Sequence, residues 1–411
     1  MSDIRVGVTG FGILSALGRG AARNEEALRA GRSGIIARPT WQIEKLRSRV
    51  SGNIDVEPLR GQFERKESRF LCDPALLAAS AMRDALKHAN LDQNDVQSSR
   101  TGLVMGTGGS SVPDAIALAD RMRIRGGSKV GAYFVPRIMG SAVAANLSNM
   151  FHIHGHSYSM TSACATSAHT IMHGFDLIRS GRQDRVFVGG AEDINIFCVA
   201  SFDGMNALSI AYNGEPERAS RPLDLGRDGF VYSGGAAVLV LENLDVARQR
   251  GATIWAVLAG AGASCDGDDM VVPNGKGGEA AMRLSLADAK IETRQIDYIN
   301  LHGTSTPIGD TVEVEAIQNV FGINPPAFSS TKSMTGHGLG AAGAQEAIFC
   351  ILMLQGNFMA PNINLDDPDP IVNDMPILRV TQNAEVGWVL SNSFGFGGTN
   401  CSLVLAHPDA I

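Results

Sequence analysis

The chain is predicted to fold as an α/β protein of two related halves with mostly parallel sheets, and three observations lead there. Short apolar runs that end in glycine alternate with segments of helical period, the pattern of strand–helix–strand units. Two small-residue helices open alike, at Ser159-Met160-Thr161 and Ser333-Met334-Thr335, 174 residues apart. Two glycine pairs run into matching apolar stretches, Leu239-Val240-Leu241 and Leu403-Val404-Leu405, 164 residues apart. A duplication with modest insertions accounts for both offsets. Under it His337 falls opposite Ala163, which would put a histidine and the Cys164 thiol at equivalent helix starts across a pseudo-twofold. The expected halves are residues 1–250, with Cys164, and 251–411, with His302 and His337.

In chain order, Arg5-Val6-Gly7-Val8-Thr9-Gly10 reads as a buried strand. Gly10-Phe11-Gly12 after it invites a dinucleotide reading, but the third glycine of that fingerprint is out of place and no acidic ribose ligand follows. A tight turn is expected there. An amphipathic helix follows at 20–31, then an irregular charged stretch over 32–70. Asp73-Pro74 starts a helix over 74–90 with Ala75, Ala78, Ala79, Met82 and Leu86 on its buried stripe. Residues 101–109 and 185–190 read as strands with glycine-rich exits, and 229–241 closes the half. The second half opens with a strand at 254–260, a helix at about 278–290, a strand at 296–301 and a helix at about 311–320.

Between those strands, Ala165, Ala168, Ile171, Met172, Phe175 and Ile178 form one helical stripe, which puts Cys164 at the helix N-terminus. Unpaired N–H groups and the helix dipole there are expected to lower a thiol pKa. A buried structural cysteine is the alternative reading. His302 follows a buried strand and precedes Gly-Thr-Ser-Thr-Pro, at the strand end where α/β sites form. His337 lies between glycines, a poor place for a packing residue. A cysteine with two histidines suits acyl transfer, the neutral imidazoles polarising a developing oxyanion. Metal binding is the competing use, disfavoured by the absence of ligand spacing and of a fourth ligand. Lys332 and Glu346 flank His337 and read as buried partners that orient the site. The loop at 391–400 offers backbone N–H groups as oxyanion donors, or is a tight β-turn.

Composition narrows the class. The 47 glycines among 411 residues point to many tight turns and close backbone approaches, since average usage is roughly 7%. Without an apolar run of about 20 residues or a leader pattern, neither a membrane span nor a signal peptide is expected. Six scattered cysteines without close pairing fit a reducing cytoplasm and argue against a disulfide framework or a zinc site. A net charge of −7 makes nonspecific nucleic-acid binding an unfavoured function.

Four motifs in this order, Ser162-Ala163-Cys164-Ala165-Thr166, Asn300-Leu301-His302-Gly303-Thr304-Ser305-Thr306-Pro307, Lys332-Ser333-Met334-Thr335-Gly336-His337 and Asn392-Ser393-Phe394-Gly395-Phe396-Gly397-Gly398, resemble the β-ketoacyl-[acyl-carrier-protein] synthases over nearly the whole chain. The likeness is greatest to the type I synthases of bacterial fatty-acid synthesis, on Phe202-Asp203-Gly204-Met205 and Gln345-Glu346-Ala347-Ile348. The resemblance implies a thiolase-like fold, two pseudo-repeated halves in five α-β-α-β-α layers, and a homodimer. It also implies that Cys164 takes the acyl chain from acyl carrier protein, with the Cys164 and Phe396 N–H groups as oxyanion hole. His302 and His337 would stabilise the enolate left when malonyl-acyl carrier protein loses carbon dioxide, and Lys332 and Glu346 would support them. Thr304 and Thr306 would hold the phosphopantetheine arm, Phe396 would gate the site, and Met139, Phe202 and Phe230 are candidates for the acyl pocket. No metal or redox cofactor is implied, although some relatives hold a monovalent cation near residues equivalent to Asn300, Glu346, Ser391 and Asn392. Arg65, Lys66, Arg69, Arg123, Arg125 and Lys129 match the family's basic docking region for the acidic carrier protein, a solvated charged loop being the plain alternative.

Rival readings remain at this stage. A type II or polyketide-type synthase shares the same triad. A thiolase would need a second cysteine in the C-terminal glycine loop, where this chain has Phe396, with Cys401 several residues on. A non-catalytic chain-length partner would be expected to lack the nucleophile.

Overall fold

The structure is a computed structural model that describes residues 4–109 and 111–411. Among the described residues its main sheet has eleven strands, ten of them in line: β1 (Val6–Ser15), β2 (Thr101–Gly106), β3 (Ser157–Met160), β4 (Arg185–Glu192), β5 (Gly235–Asn243), β6 (Ala256–Cys265), β7 (Tyr298–Asn300), β8 (Ala327–Ser329), β9 (Trp388–Gly395) and β10 (Thr399–Ala406). Their order is β8-β7-β9-β10-β6-β1-β5-β4-β2-β3, with Gly18–Arg19 paired beside β1. Read outward from the β6–β1 join, the two halves repeat one order. The join is antiparallel and centred on Gly7 opposite Val257.

Within each half the two outer pairings are parallel and the two inner ones antiparallel. The expectation of mostly parallel pairing is therefore corrected. The three-residue connection between β9 and β10 is too short for the crossover that parallel pairing needs.

Five helices complete the layers: α1 (Asp73–His88), α2 (Thr166–Arg179), α3 (Lys276–Ala289), α4 (Pro307–Phe321) and α5 (Ala342–Gly356). α1 packs outside β1 and β5, and α3 outside β6 and β10. α2 and α5 lie side by side in the middle layer, each touching strands of both halves. Residues 339–356 are apolar and long enough to cross a bilayer, yet 89% of that window is buried inside the protein. The result is the five-layered arrangement of two repeats.

Three local readings change. Gly10 and Gly12 form no turn; both lie within β1, which runs on to Ser15. A Cβ on Gly12 would come 2.0 Å from the Ala81 carbonyl oxygen, and one on Gly10 2.7 Å from the Ala89 nitrogen, so these glycines let the backbone of α1 and the turn after it lie against the strand. The two Ser-Met-Thr triplets are not equivalent: Ser159 and Met160 end β3, whereas Ser333-Met334-Thr335 lie in a one-turn helix, Lys332–Thr335. The true correspondence is between two 3-10 turns, Ala163–Ala165 before α2 and Leu339–Ala341 before α5. Each begins at a residue with positive φ, Ala163 at 50° and Leu339 at 46°. Cys164 is thus the counterpart of Gly340, and His337 precedes the second turn instead of opening its helix. The Leu-Val-Leu match does hold, because β5 and β10 occupy the same place in the two halves.

Gly12→Ala is expected to destabilise the protein by about 3 kcal/mol, since a backbone carbonyl blocks the added methyl. Urea unfolding measures this, and a change below about 0.5 kcal/mol would contradict the packing.

Candidate active site

The end of β9, the loop after β7 and the two 3-10 turns border a cleft of about 390 Å³. Cys164, His302, His337, Thr304, Thr306, Phe202, Phe230 and Phe396 all line it, so the separate sequence signals converge. That volume is within the usual range for a small-molecule site, roughly 300–1,000 Å³.

Cys164 occupies the middle of the first 3-10 turn. Burial pushes its thiol up to about 12, while Lys332 and the N–H groups of Phe396 and Cys164 itself pull it down and Glu192 pushes it further up. This reverses the lowered pKa expected from the helix start. Loss of water around the sulfur outweighs two N–H groups and a distant ammonium, so the thiol rests protonated. Those N–H groups still converge where an oxyanion would form.

His302 extends from the loop after β7, and two buried carboxylates from α4 hold that loop. Glu313 accepts from the His302 N–H at 2.8 Å and the Gly303 N–H at 2.7 Å. Asp310 accepts from the Ser305 N–H at 3.1 Å and, through its other oxygen, from the Leu223 N–H at 3.0 Å. Sequence reasoning passed over both residues. Their spacing of three on a helix just after the histidine turn was the available signal. The Thr304 and Thr306 hydroxyls lie 3.1 Å apart in this loop.

His337 is fixed by its backbone, donating to the Val231 carbonyl at 2.8 Å and accepting from the Ser233 N–H at 2.9 Å. Its ring stands perpendicular to that of His302, centroids 5.3 Å apart, with Phe230 at 5.6 Å. Both ring nitrogens of His337 and Nδ1 of His302 are buried without partners. Burial first, then the Lys332 charge, holds both imidazoles well below the ordinary histidine pKa, and His337 depresses His302 further. Two neutral imidazoles therefore face the cleft. Lys332 and Glu346 are 1% and 2% exposed and ion-paired. Removing one partner would strand the other charge, at a cost of about 3–5 kcal/mol.

Glu346 Oε2 and Ser391 Oγ are buried oxygens without partners, while Asn300 and Asn392 commit their amide oxygens to Thr331 and Ser402. Two free hard oxygens fit a monovalent cation.

Phe396 tops the turn between β9 and β10, where Gly397 and Gly398 adopt φ of 82° and 73°, a conformation that demands glycine. Its ring lies 6.3 Å from that of Phe202, which meets Phe230 at 5.2 Å. Ser391 to Gly395, expected in a loop, belong to β9. Phe394 was also missed; it lines the cleft with its ring 5.8 Å from that of His302. Met139 is not among the lining residues; it packs against the apolar cluster around α1. Arg65, Lys66, Arg69, Arg123, Arg125 and Lys129 are all exposed. Arg69 donates to the Tyr133 hydroxyl at 2.8 Å, four residues beyond Lys129. Cys401 is fully buried in β10, outside the cleft.

Residues 3–247 match the beta-ketoacyl synthase N-terminal domain and residues 255–366 its C-terminal domain. The chain belongs to the beta-ketoacyl synthase family. It is 48% identical over 402 residues to 3-oxoacyl-[acyl-carrier-protein] synthase 1 of Haemophilus influenzae, covering 97% of this chain and 98% of the relative. The synthase 1 of Escherichia coli strain K12 is 45% identical over 403 residues, covering 98% of each. A synthase 2, from Vibrio harveyi, is 37% identical, with 98% and 99% covered. Among solved structures, a beta-ketoacyl synthase from Burkholderia phymatum superposes with a TM-score of 0.93 at 34% identity, covering 98% of this chain and 99% of that one. Family membership makes the chain an acyltransferase-class condensing enzyme with a thiolase-like fold.

Decarboxylation by this site is expected to stay level from pH 8 to below pH 6, because the histidines remain neutral where an ordinary imidazole, at about 6.5, would be charged. Carbon dioxide release measured against pH checks this. An inflection near 6.5 that disappears in His302→Gln would contradict it.

Proposed function

We propose that the cleft performs the decarboxylative condensation of an acyl-acyl carrier protein with malonyl-acyl carrier protein, lengthening fatty acyl chains by two carbons in the manner of a type I synthase. One observation carries the reading: a thiol under two converging N–H groups shares a cleft with two neutral imidazoles that have free ring nitrogens. The greater identity to the synthase 1 relatives, 48% against 37% for a synthase 2, supports the type.

In the first step the Cys164 sulfur attacks the acyl thioester carbonyl. The Cys164 and Phe396 N–H groups take up the oxyanion, and the departing carrier thiolate leaves with the thiol proton. In the second step malonyl thioester enters past Phe396, its arm held by Thr304 and Thr306. Imidazole N–H groups of His302 and His337 donate to its carbonyl oxygen, so the electron pair released with carbon dioxide rests on an enolate. The enolate carbon then attacks the acyl-Cys164 carbonyl, the carbon–sulfur bond breaks, and the thiolate takes up a proton from solvent as the β-ketoacyl product leaves. Lys332 and Glu346 keep charge near the imidazoles without protonating them. Phe202 and Phe230 wall the acyl end.

No metal or redox group takes a chemical part in this scheme. A monovalent cation held by Glu346 and Ser391 beside Asn300 and Asn392 would supply fixed positive charge for the Glu346 carboxylate. The basic face from Arg65 to Lys129 is the docking surface for the acidic carrier protein. A solved ketosynthase described with its type II polyketide acyl carrier protein, AntDE:AntF, supports that partner at 28% identity and a TM-score of 0.88 over 99% of this chain and 100% of that one. The proposed working unit is a cytoplasmic homodimer joined along the open edge of β3. The proposed halves are residues 1–250 and 251–411.

Cys164→Ala is expected to abolish the acyl-enzyme seen as a mass increase with acyl-acyl carrier protein, and an unchanged adduct rules this nucleophile out. His302→Ala or His337→Ala is expected to slow malonyl decarboxylation far more than acyl transfer, and equal losses would show that the roles are misassigned. Replacing Arg65, Lys66 and Arg69 by Glu is expected to weaken carrier-protein binding most at low salt. An unchanged affinity there removes the docking proposal.

A further inference from the structure

Glu192, at the end of β4, is 4% exposed and takes no part in the scheme above. Burial pushes its carboxyl up to about 8, with Asp193 adding to the rise, while the N–H groups of Gly108, Gly340 and Gly109 pull it back down. One oxygen, Oε2, accepts from the Gly108 N–H at 2.7 Å and from the Gly340 N–H at 3.0 Å. Gly108 belongs to the first half, just beyond β2, and Gly340 to the second, in the 3-10 turn before α5. A single carboxylate oxygen therefore stitches the two halves together.

The niche is cut from glycine. A Cβ on Gly108 or on Gly340 would each come within 2.8 Å of that oxygen, and one on Gly190 within 2.4 Å of the Gly340 carbonyl. Its place in the repeat is informative. Glu192 pairs with Gly235 at the end of the β4–β5 ladder, as Gly395 pairs with Thr399 at the end of the β9–β10 ladder. Gly340 is the counterpart of Cys164. The niche therefore shares one donor position with the hole formed by the N–H groups of Cys164 and Phe396, while its other donor, Gly108, lies two residues past β2 as His302 lies two past β7.

Both ends of the stitch reach the cleft. Next to Gly108, the Thr107 carbonyl accepts from the Thr161 hydroxyl at 2.8 Å, and a Cβ on Gly108 would lie 3.6 Å from the Ala163 carbonyl, next to the nucleophile. Next to Gly340, Leu339 lines the cleft wall. We infer that Glu192 is a positioning residue whose carboxyl oxygen bridges the Gly108 and Gly340 N–H groups and so holds the Cys164 turn and the Leu339 turn at the separation acyl transfer requires. This rests on the reading of Cys164 as acyl acceptor.

The test is the rate of Cys164 acylation by acyl-acyl carrier protein, followed by mass. Glu192→Gln keeps an acceptor oxygen in place and is expected to stay within about threefold of wild type. Glu192→Ala orphans two buried N–H groups and is expected to slow acylation about 100-fold, with formate restoring much of the loss. Glu192→Asp keeps the carboxyl but falls a methylene short, and is expected to lose about tenfold. Should the Ala variant fail to fold, the Asp and Gln variants decide. Wild-type rates in Ala or Asp, a Gln variant as slow as Ala, or no recovery with formate each overturn the inference. If wild type itself forms no adduct, the acyl-acceptor reading falls and this role with it. If wild type forms the adduct and the variants match it, this role alone falls.

Discussion

Everything in the site depends on how closely α2 and α5 approach. At Gly343 an added Cβ would lie 2.9 Å from the Ala168 nitrogen and 2.8 Å from the Ser393 hydroxyl, so only hydrogen fits there. One residue away, the Ser167 hydroxyl accepts from the Ala344 N–H at 2.9 Å. Close-packed interiors transmit such contacts without slack. Because the helices touch near their N-termini, the turns that precede them are neighbours, and the thiol of one half meets the histidines of the other.

The same closeness dictates the electrostatics. A site at the centre of five layers has little water, so charge survives there only when paired. Lys332 with Glu346 is a buried ion pair beside the cleft, and Arg227 with Asp310 is another. The thiol and both imidazoles stay neutral, and Glu313 and Asp310 spend their oxygens mainly on backbone N–H groups. Neutral imidazoles suit the chemistry, since a hydrogen-bond donor of matched strength stabilises an enolate without protonating it irreversibly. The resting thiol gives up its proton only as acyl transfer proceeds. Burial thus lowers the nucleophile's readiness while protecting the carbanion chemistry that follows, and the N–H groups of Cys164 and Phe396 offset part of that cost.

Much of this was legible in the sequence. Cys164, His302, His337 and Lys332 with Glu346 stood out because reactive or charged side chains in glycine- and alanine-rich surroundings have no packing role to explain them. The repeat was legible only in part. Leu239-Val240-Leu241 and Leu403-Val404-Leu405 reported a true correspondence, since a buried strand constrains every side chain. Ser-Met-Thr did not, because the backbone shape that matters there, a positive φ before a 3-10 turn, is carried by Ala163 in one half and Leu339 in the other. Gly10 and Gly12 misled for a related reason: glycine marks a turn or a close approach equally well, and only the position of α1 decides. The thiol pKa could not be read from a helix start, because desolvation is set by the second half of the chain. Glu192 was invisible because a buried carboxyl held by backbone N–H groups leaves no pattern in side-chain spacing, whereas Asp310 and Glu313 left only their helical spacing of three.

The central claim, that one half's thiol works directly beside the other half's imidazoles, is tested most directly by cross-linking with 1,3-dibromoacetone. The reagent alkylates a thiol and then the nearest second nucleophile. Peptide mapping is predicted to find Cys164 joined to His302 or His337. Attachment of Cys164 to His169, on its own helix, or alkylation without any bridge would contradict the account.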